Sequence, residues 1–360
     1  MRKLLVFSLG VATLLPDAAQ PQAPTSKAAE RAAALPLFAS RATLSVVIET
    51  DLRAISRDRD TLSTKRYPGT LKYSADGTDT ISVPIELRPR GHFRLLARNC
   101  PFIPLRVDFP RAKGPDAVAK TPFAGQSGLK LVTHCRNEER YEQIVYREEL
   151  VYRLHNLVSP LSFRSRLATV TYRDTTGKLL GKHPGFFIEH ENDVARRNGG
   201  KIAELRGALF DDLDPKEAVR FALFEYMIGN TDYSIYSLHN VRLLAVEGQQ
   251  RYTPMAYDFD FSGLVGAHYA TPDPRLGIRD VRMRLYRGGC SHIEQLPQVA
   301  TEFLGIKDAA LALYDSASTY LDRAGVRESK YFLGEFFKTL EDPRDLKAMV
   351  ADRCVKNPGV

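Results

Sequence analysis

Three polar residues on neighbouring short segments of the second half constrain this chain most. Asp232 follows a predicted helix, Asn240 precedes a predicted strand, and Asp258 begins an Asp-Phe-Asp sequence that ends at Asp260. Phosphoryl-transfer sites use such a set, because one carboxylate orients the attacking hydroxyl while an amide oxygen and a second carboxylate hold the magnesium ion on the nucleotide phosphates. We therefore expect Asp232 to be catalytic and Asn240, Asp258 and Asp260 to be metal ligands.

The sequence around these residues predicts rigid elements. Residues 214–217 read Asp-Pro-Lys-Glu, a strong helix start with Asp as N-cap, Pro at the first helical position and Glu closing a capping box. Gly229 is a typical helix stop, so a loop begins there. Residues 241–246 predict a strand and residues 251–261 its hairpin partner. The order of helix, loop, hairpin and Asp is that of the helical half of protein kinases.

The spacing of these residues departs from that of ordinary protein kinases. Asp232 and Asn240 are eight positions apart, against five in the motif H-R-D-x-x-x-x-N. No His-Arg pair precedes Asp232, and no Gly follows Phe259. This excludes ordinary protein kinases and leaves an atypical kinase. The competing interpretation is structural, because a single Asp in a loop more often caps backbone donors than catalyses a reaction.

Candidate phosphate-binding residues lie in the N-terminal half, which is predicted to be rich in strands. Gly91 lies between basic residues and could let the backbone approach a phosphate, although a lone Gly in a hairpin is better explained by an ordinary tight turn. Lys130 and Arg106 fall on predicted strands and are the candidate phosphate-binding cations. Glu189 falls where the chain crosses to the second half, and we expect it to line the nucleotide site.

Glu148 is unusual because it lies on the apolar stripe of the helix predicted over residues 141–156. Kinases place a Glu there to pair with the phosphate-binding Lys. We therefore include Glu148 among the nucleotide-binding residues. The alternative is a surface residue that pairs with Arg147 or Arg153.

The N-terminus predicts export. Arg2 and Lys3 precede a mostly apolar run from residue 4 to residue 15, which is short for a membrane span but typical of a signal peptide. We assign residues 1–19 to the signal, residues 20–40 to a linker with a short helix, and expect a periplasmic or secreted protein without a transmembrane anchor in the mature chain. Ala, Pro and Gln are frequent in the linker.

Four cysteines are widely spaced without a C-x-x-C motif, so a zinc site is poorly supported. In an oxidising compartment they predict two disulfides. Three pairings exist, and we favour pairing within each half of the chain, which joins Cys100 to Cys135 and Cys290 to Cys354. The net charge of +8 is spread along the chain, which gives little support for nucleic-acid binding.

The order of these segments resembles that of the CotH-type spore-coat kinases, with this chain as a distant exported relative. That resemblance implies an α+β, two-lobed atypical protein-kinase-like fold, with a β-rich N-lobe at residues 41–192 and a mainly helical C-lobe at residues 193–354. It also implies ATP and Mg²⁺ or Mn²⁺ as cofactors. The matching segments are Arg90-Gly91, Leu105–Phe109, Tyr146–Tyr152, Gly185–Glu189, and the set of Asp232, Asn240 and Asp258–Asp260.

Three functions follow from the sequence. The first is a kinase that transfers phosphate from ATP to a protein Ser/Thr or a small-molecule hydroxyl. The second is a catalytically inactive pseudokinase that serves as a binding or assembly module at the cell envelope. The third is a hydrolytic metal site built from Asp258, Asp260, His239 and His268, which lacks the usual ligand spacing.

Overall fold

The computed structural model describes residues 26–75, 77, 79–110 and 115–356; the predicted signal peptide at residues 1–19 and the start of the predicted linker lie outside them. The described residues form a mixed α+β protein with a closed barrel of seven strands, a three-stranded sheet and a C-terminal helical region. The predicted α+β class is therefore confirmed.

Strand pairing in the barrel follows the order β1-β2-β3-β4-β5-β7-β6, and β1 closes it by pairing in parallel with β6. Alternate residues such as Val46 and Ile48 point inward, so the barrel interior is an apolar core. Each large aliphatic side chain buried there contributes about 1.5–3 kcal/mol. The strands are β1 (Leu44–Thr50), β2 (Tyr67–Tyr73), β3 (Ile81–Pro89), β4 (Leu105–Asp108), β5 (Gly128–Thr133), β6 (Ser165–Arg173) and β7 (Leu179–Ile188).

A second core lies between the barrel and the helices that follow it, and it includes Val151 and Phe259. The helices are α1 (Lys27–Ala33), α2 (Leu52–Arg57), α3 (Pro115–Ala119), α4 (Glu139–Val158), α5 (Glu191–Arg197), α6 (Pro215–Ile228), α7 (Leu296–Gly305), α8 (Lys307–Ser316), α9 (Arg323–Glu341) and α10 (Pro343–Met349). Among the described residues, no helix is both long and apolar enough to cross a membrane.

Helix α6 begins and ends as the sequence predicts. The Asp214 side chain accepts hydrogen bonds from the backbone amides of Lys216 and Glu217, and Pro215 occupies the first helical position. Gly229 ends the helix at φ 66°, a left-handed conformation that favours glycine. A Cβ at Gly229 would also lie 2.9 Å from the Phe332 ring, so a larger residue would disturb packing there.

The predicted hairpin is part of a larger sheet. Its strands are β9 (Val241–Val246) and β10 (Thr253–Ala256), so the second strand is shorter than the predicted range of residues 251–261. A third strand, β8 (Gly200–Ala203), pairs with β9 in antiparallel fashion. The hairpin fixes the position at which the chain leaves β10 and enters the Asp-Phe-Asp sequence.

Both predicted disulfides are confirmed: Cys100 is joined to Cys135, and Cys290 to Cys354. Two such bonds are consistent with an oxidising, extracytoplasmic location. The first connects the segment after β3 to the loop between β5 and α4, while the second joins the start of the C-terminal helices to the end of the described chain.

The predicted linker and the predicted boundary between the two halves both contain helices that pack against the rest of the structure. Within the predicted linker, α1 buries Ala29 and Ala32, and Arg164 donates hydrogen bonds to the carbonyls of Ala32 and Ala33. Residues 27–33 are therefore part of the folded structure rather than free linker. The boundary placed after residue 192 falls inside α5, which packs against α1.

Candidate active site

The loop after α6 holds Asp232 through hydrogen bonds on both sides. The backbone amide of Asp232 donates to the Asn230 side chain at 3.0 Å. Its Oδ1 lies 3.0 Å from His239 Nε2, and the amide nitrogen of Asn240 donates to its Oδ2 at 3.1 Å and to its carbonyl at 2.8 Å. The hydrogen bond and charge of Asp232 raise the pKa of His239, although burial opposes this. The structure therefore brings Asp232 and Asn240 into contact.

Left-handed backbone conformations cluster at this loop and at Asp258. Leu238, Asn240 and Asp258 have φ values of 54°, 53° and 67°. Asn and Asp tolerate this region better than other residues, whereas for Leu it is a strained conformation that packing must impose. The Asp258 amide donates to the Tyr152 hydroxyl at 3.0 Å, and Phe259 packs edge-on against the Tyr152 ring. These contacts fix the start of the Asp-Phe-Asp segment.

Three carboxyl groups, those of Glu148, Asp258 and Asp260, lie near enough to interact electrostatically where α4 faces that segment. Glu148 on α4 and Asp260 are both buried. Burial raises the pKa of each carboxyl, and the charge of Asp258 raises both further. The charge of Asp260 also raises the pKa of Glu148. Crowded acidic groups of this kind are typical of functional sites, because each makes ionisation of the others costly.

The surface-pair alternative for Glu148 is excluded. Its side chain is buried, and Arg153 pairs instead with the neighbouring Glu149 at 2.8 Å. Among the described residues, no hydrogen bond or ion pair to the Glu148 carboxylate is formed. Glu148 therefore faces the acidic cluster without a direct partner.

Arg94 and Arg90 are the cations that act on the Glu148 carboxyl. The sequence patterns did not single out Arg94. Both arginines lower the pKa of Glu148, Arg94 more strongly. Burial alone would lower the pKa of Arg94, but the charges of Tyr269, Asp260, Glu148 and Asp258 raise it. Arg94 also donates to the Thr133 carbonyl. The signal available in the sequence was the basic cluster around Gly91.

Lys130 on β5 interacts electrostatically with Asp258, and the region formed by Lys130, Arg94, Glu148, Asp258 and Asp260 is called the cleft below. Its ammonium lies 4.6 Å from the centre of the Tyr257 ring. Burial, followed by the charge of Arg90, lowers the pKa of Lys130 to about 8, while Glu191 and Asp258 oppose the shift. No ion pair to Lys130 occurs within the described ranges. A lysine that is deeply set and lacks a direct anionic partner is suited to receive a phosphate.

Arg106 lies in a separate ion cluster on the barrel. Its Nε donates to Asp108 at 2.8 Å, and Asp108 also pairs with Arg88 at 2.9 Å and Arg66 at 3.3 Å. Although Arg106 is the cross-strand neighbour of Lys130, its guanidinium is engaged by Asp108. The structure thus brings Lys130, but not Arg106, toward the acidic cluster.

The carboxylate of Glu189 is also fully engaged. It is buried and pairs with Arg164 at 2.7 Å and with Arg197 at 3.1 Å, and it accepts a hydrogen bond from the Arg164 backbone amide at 3.0 Å. Any contact between this residue and a nucleotide would therefore use its backbone. The ion pairs themselves join the end of β7 to α5.

Gly91 lies at an exposed turn beside the cleft, with φ 84° and open space on the side where a Cβ would point. After this turn, the Phe93 ring packs 5.1 Å from Phe261 and 5.4 Å from Tyr269. The Tyr269 hydroxyl donates to Asp260 at 2.9 Å. The basic loop at residues 90–95 therefore rests on the loop that carries Asp260.

Another buried carboxyl lies behind Asp232. Glu225 on α6 is 1% exposed, and neither of its oxygens has a hydrogen-bond partner within 3.5 Å in the described structure. Burial raises the pKa of Glu225 to about 8; the nearby Asn230 side chain opposes this shift, and Asp232 adds to it. The sequence stripe of α6 gave no reason to single out Glu225.

The oxygen donors fit a magnesium or manganese ion chemically, but they do not form a closed cage. In the described part of the chain, no three His, Cys, Asp or Glu side chains converge closely enough to hold a metal. Magnesium bound with a nucleotide needs only one or two protein carboxylates. The predicted hydrolytic site would need more protein ligands than one or two carboxylates. Its candidate ligand His268 instead packs against Tyr141.

Comparison with known proteins adds no functional assignment. The sequence matches no protein-family model, and no curated protein is significantly similar to it. Any function of this chain therefore rests on the chemistry of its own site.

Proposed function

We propose that this chain is an exported, atypical kinase of the CotH-like type that transfers phosphate from ATP to a hydroxyl of a protein Ser/Thr or a small molecule. The observation that carries the proposal is the opposition of charges across one cleft. Lys130 comes from β5 and Arg90 and Arg94 from the loop after β3, while Asp258 and Asp260 come from the segment after β10. Such a cleft is suited to phosphates on one side and a divalent ion on the other.

The barrel would then be the N-lobe and the helical region the C-lobe of a two-lobed kinase-like fold. Helix α4 carries Glu148 between β5 and β6, and the chain crosses to the second lobe after β7. Asp232 follows α6, and Asp258 follows the hairpin of β9 and β10. This order supports the proposed architecture independently of the charges.

Each residue has a separate role in the proposed reaction. Asp232 orients the acceptor hydroxyl and takes its proton as the hydroxyl oxygen bonds to the γ-phosphorus and the bond from that phosphorus to the bridging oxygen of ADP breaks. Lys130 and Arg90 hold phosphate oxygens, and Arg94 balances the charge of Glu148. Asn240 supports Asp232 through its amide nitrogen.

Asp258, Asp260 and the oxygen of Asn240 would hold Mg²⁺ or Mn²⁺. When bound, the ion supplies charge neutralisation at the phosphates. The mutual repulsion of the buried carboxylates supports this assignment, because a divalent cation relieves it. The Tyr269 hydroxyl donates a hydrogen bond to one Asp260 oxygen, so on metal binding it would either release that oxygen or share it with the ion.

The second candidate is a pseudokinase that binds partners at the cell envelope. Two observations favour it. The carboxylates do not converge into a group of three within the described residues, and the disulfides fit a compartment outside the cytoplasm, where ATP is scarce. In this case the cleft binds a nucleotide or another anion without catalysis.

The test uses purified mature protein with Mg²⁺ or Mn²⁺. We expect ATP to bind only with metal and label to appear on the protein or on added acceptors. Asp258→Asn should abolish metal-dependent binding, because it removes a carboxylate from the ion. Asp232→Asn should still bind ATP but lower transfer by about 10²–10⁴-fold, the usual contribution of general-base assistance.

The outcomes separate the two candidates. Binding without transfer in the wild-type protein supports the pseudokinase. Absence of binding to any nucleotide with either metal contradicts the kinase and also a pseudokinase that binds nucleotide. Asp108→Asn serves as the control, because it makes the same change to a carboxylate in the separate barrel cluster and should leave nucleotide binding unaltered.

A further inference from the structure

A large groove lies on the outer face of the barrel, formed by different residues from those of the cleft. Its volume is about 960 Å³, within the size range of small-ligand sites. Five of its lining residues are successive cross-strand neighbours on five adjacent strands: Lys182, Thr171, Val47, Lys72 and Ser82. The groove therefore runs across β7, β6, β1, β2 and β3.

Hydroxyls and cations dominate its lining. Ser45 and Thr169 are a further cross-strand pair beside Thr171. Lys72, Arg166, Arg173 and Lys182 face one described carboxylate, Glu49, which Lys72 neutralises at 2.7 Å. Within the described chain, no ion pair engages Lys182. The groove thus offers positive charge together with many hydrogen-bonding groups.

Arg166 gives the groove a buried anchor. It is 7% exposed, and its head group donates to the carbonyls of Leu37 and Ser40. Its buried Nε has no hydrogen-bond partner in the described structure. The bonds to Leu37 and Ser40 fix the position of the guanidinium, which holds positive charge at the groove.

The lining argues against other ligand classes. A peptide cannot add as a strand here, because β1 is paired on both sides and the closed barrel offers no free edge at this face. Single-stranded nucleic acid needs successive aromatic platforms, whereas Tyr73 is the single aromatic residue among the described lining residues. Polar surface exceeds apolar surface in the groove, which favours a hydroxyl-bearing ligand over a lipid chain.

We propose that this groove binds an acidic oligosaccharide, whose hydroxyls meet the Ser and Thr side chains and whose carboxylate or sulfate groups meet the cations. The site would hold the protein on an anionic glycan, independently of the chemistry in the cleft. Failure of the proposed kinase function would therefore leave this inference untouched.

Calorimetric titration of the mature protein tests it at an ionic strength of about 0.15 M, where long-range attraction is screened. The probes are trigalacturonate, a sulfated disaccharide, neutral maltotriose and hexaglutamate. We expect one or both acidic saccharides to bind at least about tenfold more tightly than maltotriose and hexaglutamate, as one charge-assisted hydrogen bond allows. Which of the two binds identifies the acidic group.

Two variants localise the binding. Lys182→Gln and Thr171→Val should each weaken it by about three- to tenfold, since each removes one hydrogen-bonding group. Lys201→Gln, an exposed lysine on β8, should have no effect. Absence of saccharide binding, equally tight binding of hexaglutamate, or equal loss in all three variants would overturn the proposal.

Discussion

Two charged clusters in this protein are built in opposite ways. On the barrel, Asp108 is surrounded by Arg66, Arg88 and Arg106, each within ion-pair distance. In the cleft, the charges of Asp258 and Asp260 raise the pKa of Glu148, the charge of Asp258 raises that of Asp260, and the cations act on them without forming close pairs. The first arrangement is complete by itself and stabilises a fold. The second leaves repulsion between carboxyl groups without close ion pairs among the described residues, a pattern that is common at functional sites.

The largest expected effects distinguish two buried glutamates. Glu189→Gln removes one partner of a buried ion pair with Arg164 and Arg197, so we expect the free energy of unfolding to fall by about 3–5 kcal/mol. Glu148→Gln replaces a buried carboxyl that has no direct partner and whose raised pKa already makes ionisation costly, so stability should hold or rise while metal-dependent nucleotide binding weakens. Urea unfolding and nucleotide titration measure both effects. Equal destabilisation by the two substitutions would make Glu148 structural.

Glu225, a buried carboxyl without an ion pair among the described residues, should make the stability of the protein depend on pH. Its pKa in the folded protein is raised to about 8 from a usual value of 4.5, so between these values the folded protein retains a proton that the unfolded chain has lost. Stability should therefore fall with rising pH, by about 1.4 kcal/mol per unit from this group. Glu225→Gln should remove that slope. Unfolding curves at several pH values test this, and parallel profiles for both proteins would contradict it.

Cations of the two clusters should also differ in how much they contribute to ATP binding. Lys130→Ala is expected to weaken ATP binding by about 10–100-fold, the range for a hydrogen bond to a charged group. Arg106→Ala should change ATP affinity little, because Asp108 already engages its guanidinium. Isothermal titration with Mg²⁺ compares the two directly. A larger loss in the Arg106 variant would place the phosphate site on the barrel cluster.

The smallest predicted effect concerns the pH dependence of ATP binding. Lys130 has a pKa lowered to about 8, so it loses its charge as pH rises through that value, whereas an ordinary lysine stays charged. ATP affinity should therefore fall by up to about tenfold from pH 7 to pH 9, because only about a tenth of the lysine stays protonated one pH unit above its pKa. Lys130→Arg keeps the charge and should flatten the profile. An identical decline in that variant would assign the effect to another group.

The sequence predicted the local elements well because their signals are local. The N-cap at Asp214, the helix stop at Gly229 and the pairing of the cysteines all appear in the structure. It also placed Glu148 on a buried helix face. These features depend on residues close in the chain or on a small number of alternatives.

Features that depend on residues far apart in the chain could not be predicted from the sequence patterns. Parallel pairing of β1 with β6 depends on residues far apart in the chain, and alternation within each strand does not identify its neighbour. Arg94 was missed as a cleft cation because its role depends on how the loop after β3 folds against Asp260. Arg106 and Lys130 looked alike as basic residues on strands, and only their surroundings separate them.

Closure of the barrel by β1 has a consequence for the order of folding. Leu44 lies opposite Ala168, so the first strand to be made must wait for β6 before its second edge is paired. The strands from β2 to β5 meet their partners in sequence order and can assemble earlier. Contacts between distant residues slow folding, because loop-closure entropy is lost before they form. During synthesis or export, the unpaired edge of β1 is therefore the part of the barrel most exposed to aggregation, and a chaperone that covers it would act before β6 arrives.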